Sequence, residues 1–341
     1  MSNWNKNSGY GQSLINFARN VCPTFGNVLV VMVNANSDEA NYHHMAEVYT
    51  PDPDGQIRFY NTLEAAYAAA ESNNNDIILL DGNSSHVVAE EISWSKNRIH
   101  VVGMDGGGRL HGQGAKVQNT DGTAAVSVIH VSGTRNTFEN IKFIQVDDDG
   151  TSQNVVKESG ESTLYKNCSF IFGNVAELDE TDSYEVMLSG DSTEFHNCTF
   201  GTDTLVTSGA RAVTAFDVIT TAAKSNVFKD CVWNIMSSTA DANFVRVVAT
   251  TDLHFGHLFI NPIFLATISD SLSAITLTDA VDSVSGLNAG NMLMINPATN
   301  CTNLSSTASD NLKVVGPGML AHNAASAVSP TAYLGIGITP A

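Results

Sequence analysis

Phe195-His196-Asn197-Cys198-Thr199-Phe200 is one copy of a motif that decides the architecture of this chain. Earlier copies are Phe138-Glu139-Asn140-Ile141-Lys142-Phe143 and Tyr165-Lys166-Asn167-Cys168-Ser169-Phe170. Later ones are Phe228-Lys229-Asp230-Cys231-Val232-Trp233 and a looser Phe259-Ile260-Asn261-Pro262-Ile263-Phe264. The Asn/Asp positions, 140, 167, 197, 230 and 261, are separated by 27, 30, 33 and 31 residues, a solenoid period. Side chains of a strand alternate between its two faces. In each copy the apolar set is the aromatic two places before the Asn, the residue after it and the aromatic three places after it. Parity therefore flips at the Asn. A flip needs a bend, and Asn enters the left-handed backbone region at low cost. Asn140, Asn167, Asn197 and Asp230 are thus expected at a tight corner between two strands of one coil, stacked into a ladder along the axis.

Other apolar runs fill out the coil. Residues 126–131, 154–156, 184–188, 211–219 and 244–248 read as strands before each corner, with 76–80 and 98–102 opening the first coils. Three strands per coil with short polar turns is the layout of a β-solenoid. Cys168, Cys198 and Cys231 share one repeat position and read as small inward hydrophobes, not as ligands. Phe170, Phe200 and Trp233 read as a stacked core column. A solenoid needs its open end covered. The stretch 62–71 predicts a capping helix just before the first coil, with Asn61 or Thr62 as N-cap and Asn61/Glu64 at capping-box spacing. The fold expected is therefore all-β, a right-handed parallel β-helix over residues 57–270. An arm with a hairpin or short sheet occupies 1–56, and 271–341 forms a low-charge C-terminal β segment, cap or subunit contact.

Composition narrows the partners. The chain has 341 residues, 35 acidic against 16 basic side chains, and a formal net charge of −19. No basic footprint for nucleic acid is visible. Anionic membranes and polyanionic sugars are unattractive partners unless a local basic patch or bound metal intervenes. The five cysteines, Cys22, Cys168, Cys198, Cys231 and Cys301, fit neither a disulfide framework nor a CxxC metal site. The N-terminus shows no secretory pattern, and the apolar run 28–33 is too short to span a bilayer. The expectation is a soluble product of a reducing compartment.

The order of helix 62–71, then Asp76-Ile77-Ile78-Leu79-Leu80-Asp81-Gly82, then Arg98-Ile99-His100-Val101-Val102-Gly103 resembles the opening of pectin-lyase-like β-helix proteins. The Gly-rich stretch 103–114 and the Asn-Cys-x-Phe rungs are similar to β-helix proteins encoded among phage and prophage structural genes. That resemblance implies a virion location and a homo-oligomer such as a trimer, partnered by the major capsid protein or fibre subunits. On it rests the expectation of a non-enzymatic, capsid-associated structural protein without cofactor. The alternative is a tail spike or fibre that binds or cleaves a host polysaccharide by lyase or glycosidase chemistry.

The sequence offers several candidate groups, but no catalytic, cofactor-binding or metal-binding residue is expected among them. His43, His44 and Glu47 lack a second ligand cluster. Asp147-Asp148-Asp149 and the acidic stretch 177–185 (Glu177, Asp179, Glu180, Asp182, Glu185) read as solvated turns, with calcium left open. A lyase needs a basic residue at a matching rung, and none is evident beside Asp147. Asn119-Thr120-Asp121, Asp147-Asp148 and Gly256-His257 echo polygalacturonase-like hydrolases, but Leu258 stands where a second Gly is needed. Gly106-Gly107-Gly108 lacks the Lys-Ser/Thr of a phosphate-binding loop.

Overall fold

The asparagine corner forms as the repeat predicts. In the computed structural model Asn140, Asn167, Asn197, Asp230 and Asn261 have φ between 51° and 60°, and Asn296 adds a further member at 52°. The side chains link along the axis: Asn167 donates to Asn140 at 2.6 Å, Asn261 to Asp230 at 2.8 Å and Asn296 to Asn261 at 3.2 Å. The structure describes residues 26–33, 59–82, 85–104, 112–122, 126–147, 153–174, 180, 182–217, 223–248, 256–267, 277–282, 292–305 and 312–316.

Strands before the corner build an 11-stranded sheet A, strands after it an eight-stranded sheet B, and a seven-stranded sheet C closes each coil. Pairing between coils is parallel throughout, which makes the molecule a right-handed parallel β-helix. Register places Phe138, Tyr165, Phe195, Phe228 and Phe259 in one inward column of sheet A. Their ring centroids are 4.6–5.1 Å apart. Phe143, Phe170, Phe200, Trp233 and Phe264 form the matching column of sheet B, at 4.9–5.6 Å. The two columns meet edge to face, as Phe170 and Phe195 do at 6.0 Å. Each such contact adds about 0.5–1.5 kcal/mol beyond area burial. Cys168, Cys198 and Cys231 are fully buried between the columns, and each thiol donates to a carbonyl of the coil before it. Burial pushes the Cys198 thiol well above its usual range, so it stays protonated and unreactive.

A second corner, between sheets C and A, was not read from the sequence. Arg98, Arg135, Ser162, Ser192 and Ser225 occupy the left-handed region there, with φ of 54–59°. Glycine precedes three of them because successive coils touch through the backbone. A Cβ on Gly160 would stand 2.1 Å from the Gly133 carbonyl oxygen, and one on Gly190 would stand 2.2 Å from that of Gly160.

Both ends follow from the same rules. Helix α1 (Leu63–Ala69) is shorter than expected, and Thr62 is its N-cap, accepting from the Ala65 N–H at 3.2 Å. That places Ala65, not Glu64, at the box position. Lys96 closes the other end of α1, donating to the carbonyls of Tyr67, Ala68 and Ala70 at 2.7–2.8 Å. Leu63 and Ala66 turn inward, and Tyr67 stacks on Trp94 at 4.0 Å, so α1 covers the open coil. Strand Val28–Val31 lies in sheet A, parallel to Phe59–Tyr60 and to Ile77–Leu80, where a hairpin would have been antiparallel. Toward the C-terminus, Met292–Ile295 and Leu312–Val315 extend sheet A in register, so the described part of 271–341 continues the coils. His43, His44 and Glu47, Gly106-Gly107-Gly108 and the expected strand 333–338 lie outside the described residues.

Candidate functional site

The residues singled out by motif serve the scaffold. Asp147 is buried at the turn from sheet B to sheet C; one carboxylate oxygen accepts from the Gly122 N–H at 2.8 Å and the other from the Gln153 amide at 3.3 Å. Asn119, one coil earlier, accepts from the Val146 N–H at 2.8 Å. Both side chains brace turns. Glu185 is fully buried and paired with Arg211, whose guanidinium sits 5.1 Å from the Phe172 ring centroid. Burial raises the Glu185 carboxyl and the Arg211 charge opposes that shift. His257 is a core histidine 4.7 Å from the Phe216 ring, and burial lowers it to about 4. Residues 148, 149 and 177–179 lie outside the described residues. Among the described residues no group of three His, Cys, Asp or Glu side chains is placed to hold a metal ion.

The outer face of sheet B is different. Lys116 and Lys142 are register partners in adjacent strands, Lys116–Asn119 and Lys142–Gln145, and alternate with the inward Val117 and Phe143. Both lysines are partly buried, and neither pairs with a carboxylate among the described residues. Burial, and then the neighbouring Lys116 charge, push the Lys142 ammonium below its usual range. On the next rung Ser169 donates to the Gln113 amide oxygen at 2.8 Å, and the Gln113 NH2 donates to the Asn167 carbonyl at 2.9 Å. The adjoining outward column holds Val87, Gln118, Ile144 and Ile171, with Val87 46% exposed.

This strip is the local basic patch that the acidic composition otherwise denies. It also corrects one expectation: basic residues do occupy matching rungs beside the Asp147 turn, since Lys142 stands on the strand leading into it. The signal was present in the chain. Gly114-Ala115-Lys116-Val117 stands in register with Asn140-Ile141-Lys142-Phe143, hidden because Gly stands where the motif has Asn. Two adjacent ammonium groups suit one carboxylate, and a desolvated amine of lowered pKa suits proton abstraction.

Fold and register define the class, a pectin-lyase-like right-handed parallel β-helix. The sequence matches no family model and no curated protein. Among solved structures the chain is similar to pectin methylesterase PemA from Erwinia chrysanthemi, with a TM-score of 0.53 and 14% identity over 90% of this chain and 92% of that one. It is similar to a pectin methylesterase from carrot, with a TM-score of 0.50 and 12% identity over 92% and 89% of the two chains. The Aspergillus niger pectin methylesterase gives 0.52 and 11% over 90% and 93%. The superpositions establish a shared fold, and identities this low limit the likeness to the fold. The expectation of a non-enzymatic virion structural protein is corrected by this likeness, because the solved proteins that share the fold along nine-tenths of this chain are pectin methylesterases, which are enzymes.

Proposed function

We propose that this chain binds an acidic polysaccharide along the outer face of sheet B and cleaves it by β-elimination. The observation that carries this reading is the register pair of Lys116 and Lys142, unpartnered among the described residues of a chain with net charge −19. In this reaction Lys116 pairs with a uronate carboxylate and thereby acidifies the adjacent carbon. Lys142, as the free amine, takes that proton. The electron pair becomes a carbon–carbon double bond, the glycosidic C–O bond opposite breaks, and the leaving oxygen takes a proton from water. Val87, Ile144 and Ile171 in the outward column beside the lysines offer a floor for sugar faces, and solved proteins of similar fold include a pectin methylesterase in complex with a hexasaccharide.

Incubation with polygalacturonate and other polyuronates, read by the ultraviolet absorbance of the unsaturated product, tests the reading. Lys142→Met should abolish product formation, and Lys116→Met should raise KM more than it lowers kcat. Unchanged cleavage by the double variant, or no binding to any polyuronate, refutes it. We propose further that the chain works as a spike or fibre subunit of a phage particle, in a homo-oligomer such as a trimer, where this face meets host glycan. The resemblance of its rungs to those of phage-encoded β-helices supports that placement, and its absence from purified particles would sink it.

A further inference from the structure

A second polar arrangement lies on another sheet. His130 leaves the outer face of sheet C from strand Ser127–Val131, flanked in register by Ser93 of the coil before and Lys157 of the coil after. Glu91 immediately precedes strand Ile92–Trp94, and Ser159 immediately follows Asn154–Glu158, so three successive coils each supply one group. His130 Nε2 lies 2.8 Å from Ser159 Oγ. His130 Nδ1 lies 3.8 Å from Glu91 Oε1, longer than a hydrogen bond and within charge-pairing range. The other Glu91 oxygen accepts from the buried Ser127 hydroxyl, which fixes the carboxylate. His130 and Glu91 are each 29% exposed, so a ligand can reach them. Burial holds His130 below its usual range, with Glu91 opposing and Lys157 assisting, so the imidazole is neutral and free to take a proton near neutral pH.

The repeat supplies an internal control. Ser189 stands at the position of Ser159 one coil on, and among the described residues its hydroxyl reaches only the Glu158 carbonyl, at 3.5 Å. The preceding coil offers it Lys157 where Ser159 meets His130. A corner serine of this kind can satisfy a backbone carbonyl, and the Val131 carbonyl lies 3.2 Å from Ser159 Oγ; with Nε2 of the neutral imidazole as acceptor, the single hydroxyl proton turns to the shorter contact, His130 at 2.8 Å. Coupling to an imidazole backed by a carboxylate goes beyond that structural need. Nucleophile, base and orienting acid in that order are the arrangement of acyl-transfer sites, recognised by geometry and not by chain order.

We propose that Ser159, His130 and Glu91 form a hydrolytic site for carboxylic esters carried on a polysaccharide. The polysaccharide as carrier rests on the function proposed above; the ester chemistry does not. Ser159 Oγ bonds to the ester carbonyl carbon while its proton passes to His130 Nε2. The carbonyl oxygen becomes an oxyanion, and Lys157 is the group assigned to it. The backbone donors beside Ser159 are already used, since its own N–H serves Val131 and that of Gly160 serves Glu158. Collapse breaks the ester C–O bond and His130 returns the proton to the departing alcohol. Water then repeats the cycle on the acyl-serine and releases the carboxylic acid.

The full chain, treated with a fluorophosphonate probe and digested for mass spectrometry, should carry the label on Ser159. Hydrolysis of 4-nitrophenyl acetate should vanish in Ser159→Ala and fall roughly 100-fold in His130→Gln. No label on Ser159, or undiminished hydrolysis by Ser159→Ala, overturns the site. All three side chains lie at the surface, and circular dichroism checks that the variants keep the fold. The nitrophenyl ester contains no sugar, so its turnover reports this site even where the β-elimination assay fails. Turnover of that ester without acid or alcohol release from acetylated or methyl-esterified polysaccharides overturns the assigned substrate class.

Discussion

Glu158 should make this protein less stable as the solution becomes more alkaline, and Glu158→Gln should remove that weakness. The carboxyl is fully buried at the end of a strand of sheet C; one oxygen accepts from the Gly160 N–H at 2.7 Å and the other from the Tyr165 hydroxyl at 2.8 Å. These donors, with the Thr163 hydroxyl, do not offset desolvation, and the group is raised from 4.5 to about 8. Because the folded value lies above the unfolded one, the native state binds the proton more tightly. The contribution of Glu158 is complete below 4.5 and is lost as pH rises through about 8. At about 1.4 kcal/mol per unit the full loss is about 5 kcal/mol. Gln keeps the acceptor for Gly160 and presents an amide to the tyrosine oxygen, imitating the protonated acid. Urea unfolding of both proteins at about pH 5 and about pH 9 should show the advantage of the variant growing by about 4 kcal/mol. An advantage equal at both pH values would mean that Glu158 is ionised in the native state, and the reasoning would fail.

Two further outcomes test the interior. His257 is lowered to about 4, so its contribution is present above 6.5 and is lost as pH falls toward 4, by about 3 kcal/mol. In His257→Asn that acid-side slope should disappear from unfolding curves, while any cavity cost stays constant with pH; an unchanged slope would reassign the acid sensitivity. Phe200→Ala removes the ring between Phe170 and Trp233, at 5.1 and 4.9 Å, and should cost roughly 3–5 kcal/mol in chemical denaturation, with less than about 1 kcal/mol counting against a continuous column.

The fold was readable where one backbone conformation forces one residue type. A corner in the left-handed region selects Asn or Asp, and Asn140, Asn167, Asn197 and Asp230 announced it. The second corner uses the same conformation with Arg135, Ser162 and Ser192, residues that occur anywhere, so it left no comparable mark. Its real signature is the preceding pair, Ser132-Gly133, Ser159-Gly160 and Ser189-Gly190, imposed by coil-to-coil backbone contact rather than by the turn itself. The outer faces were harder still. Which outward residues become neighbours depends on the length of each coil, and register partners on adjacent coils of sheet A are separated by as few as 20 residues (Met292 and Leu312) and by as many as 37 (His100 and Thr137). Lys116 and Lys142 are 26 residues apart and His130 and Ser159 are 29 apart, separations that carry meaning only once the register is known.

Inside and outside of the coil obey different rules. Along the sheet A interior the residues read Phe138, Tyr165, Phe195, Phe228, Phe259, a column in which every member must stack on the next at about the strand spacing. Along the outer face of sheet C the same register reads Ser93, His130, Lys157, Met187, Ala215, with no two alike. Outer sheet B reads Ser85, Lys116, Lys142, Ser169, Thr199. Packing explains the uniform columns and nothing in packing explains the varied ones. Two like charges set side by side repel, which a face kept only for solubility would avoid by alternating sign, as Glu139 and Lys166 do at 2.7 Å on sheet A. The lysine pair therefore costs the fold something that an anionic ligand would return. Measuring stability with and without a bound polyuronate joins the two halves of that reasoning. The ligand should raise the unfolding midpoint of the native chain and leave that of Lys116→Met/Lys142→Met unchanged.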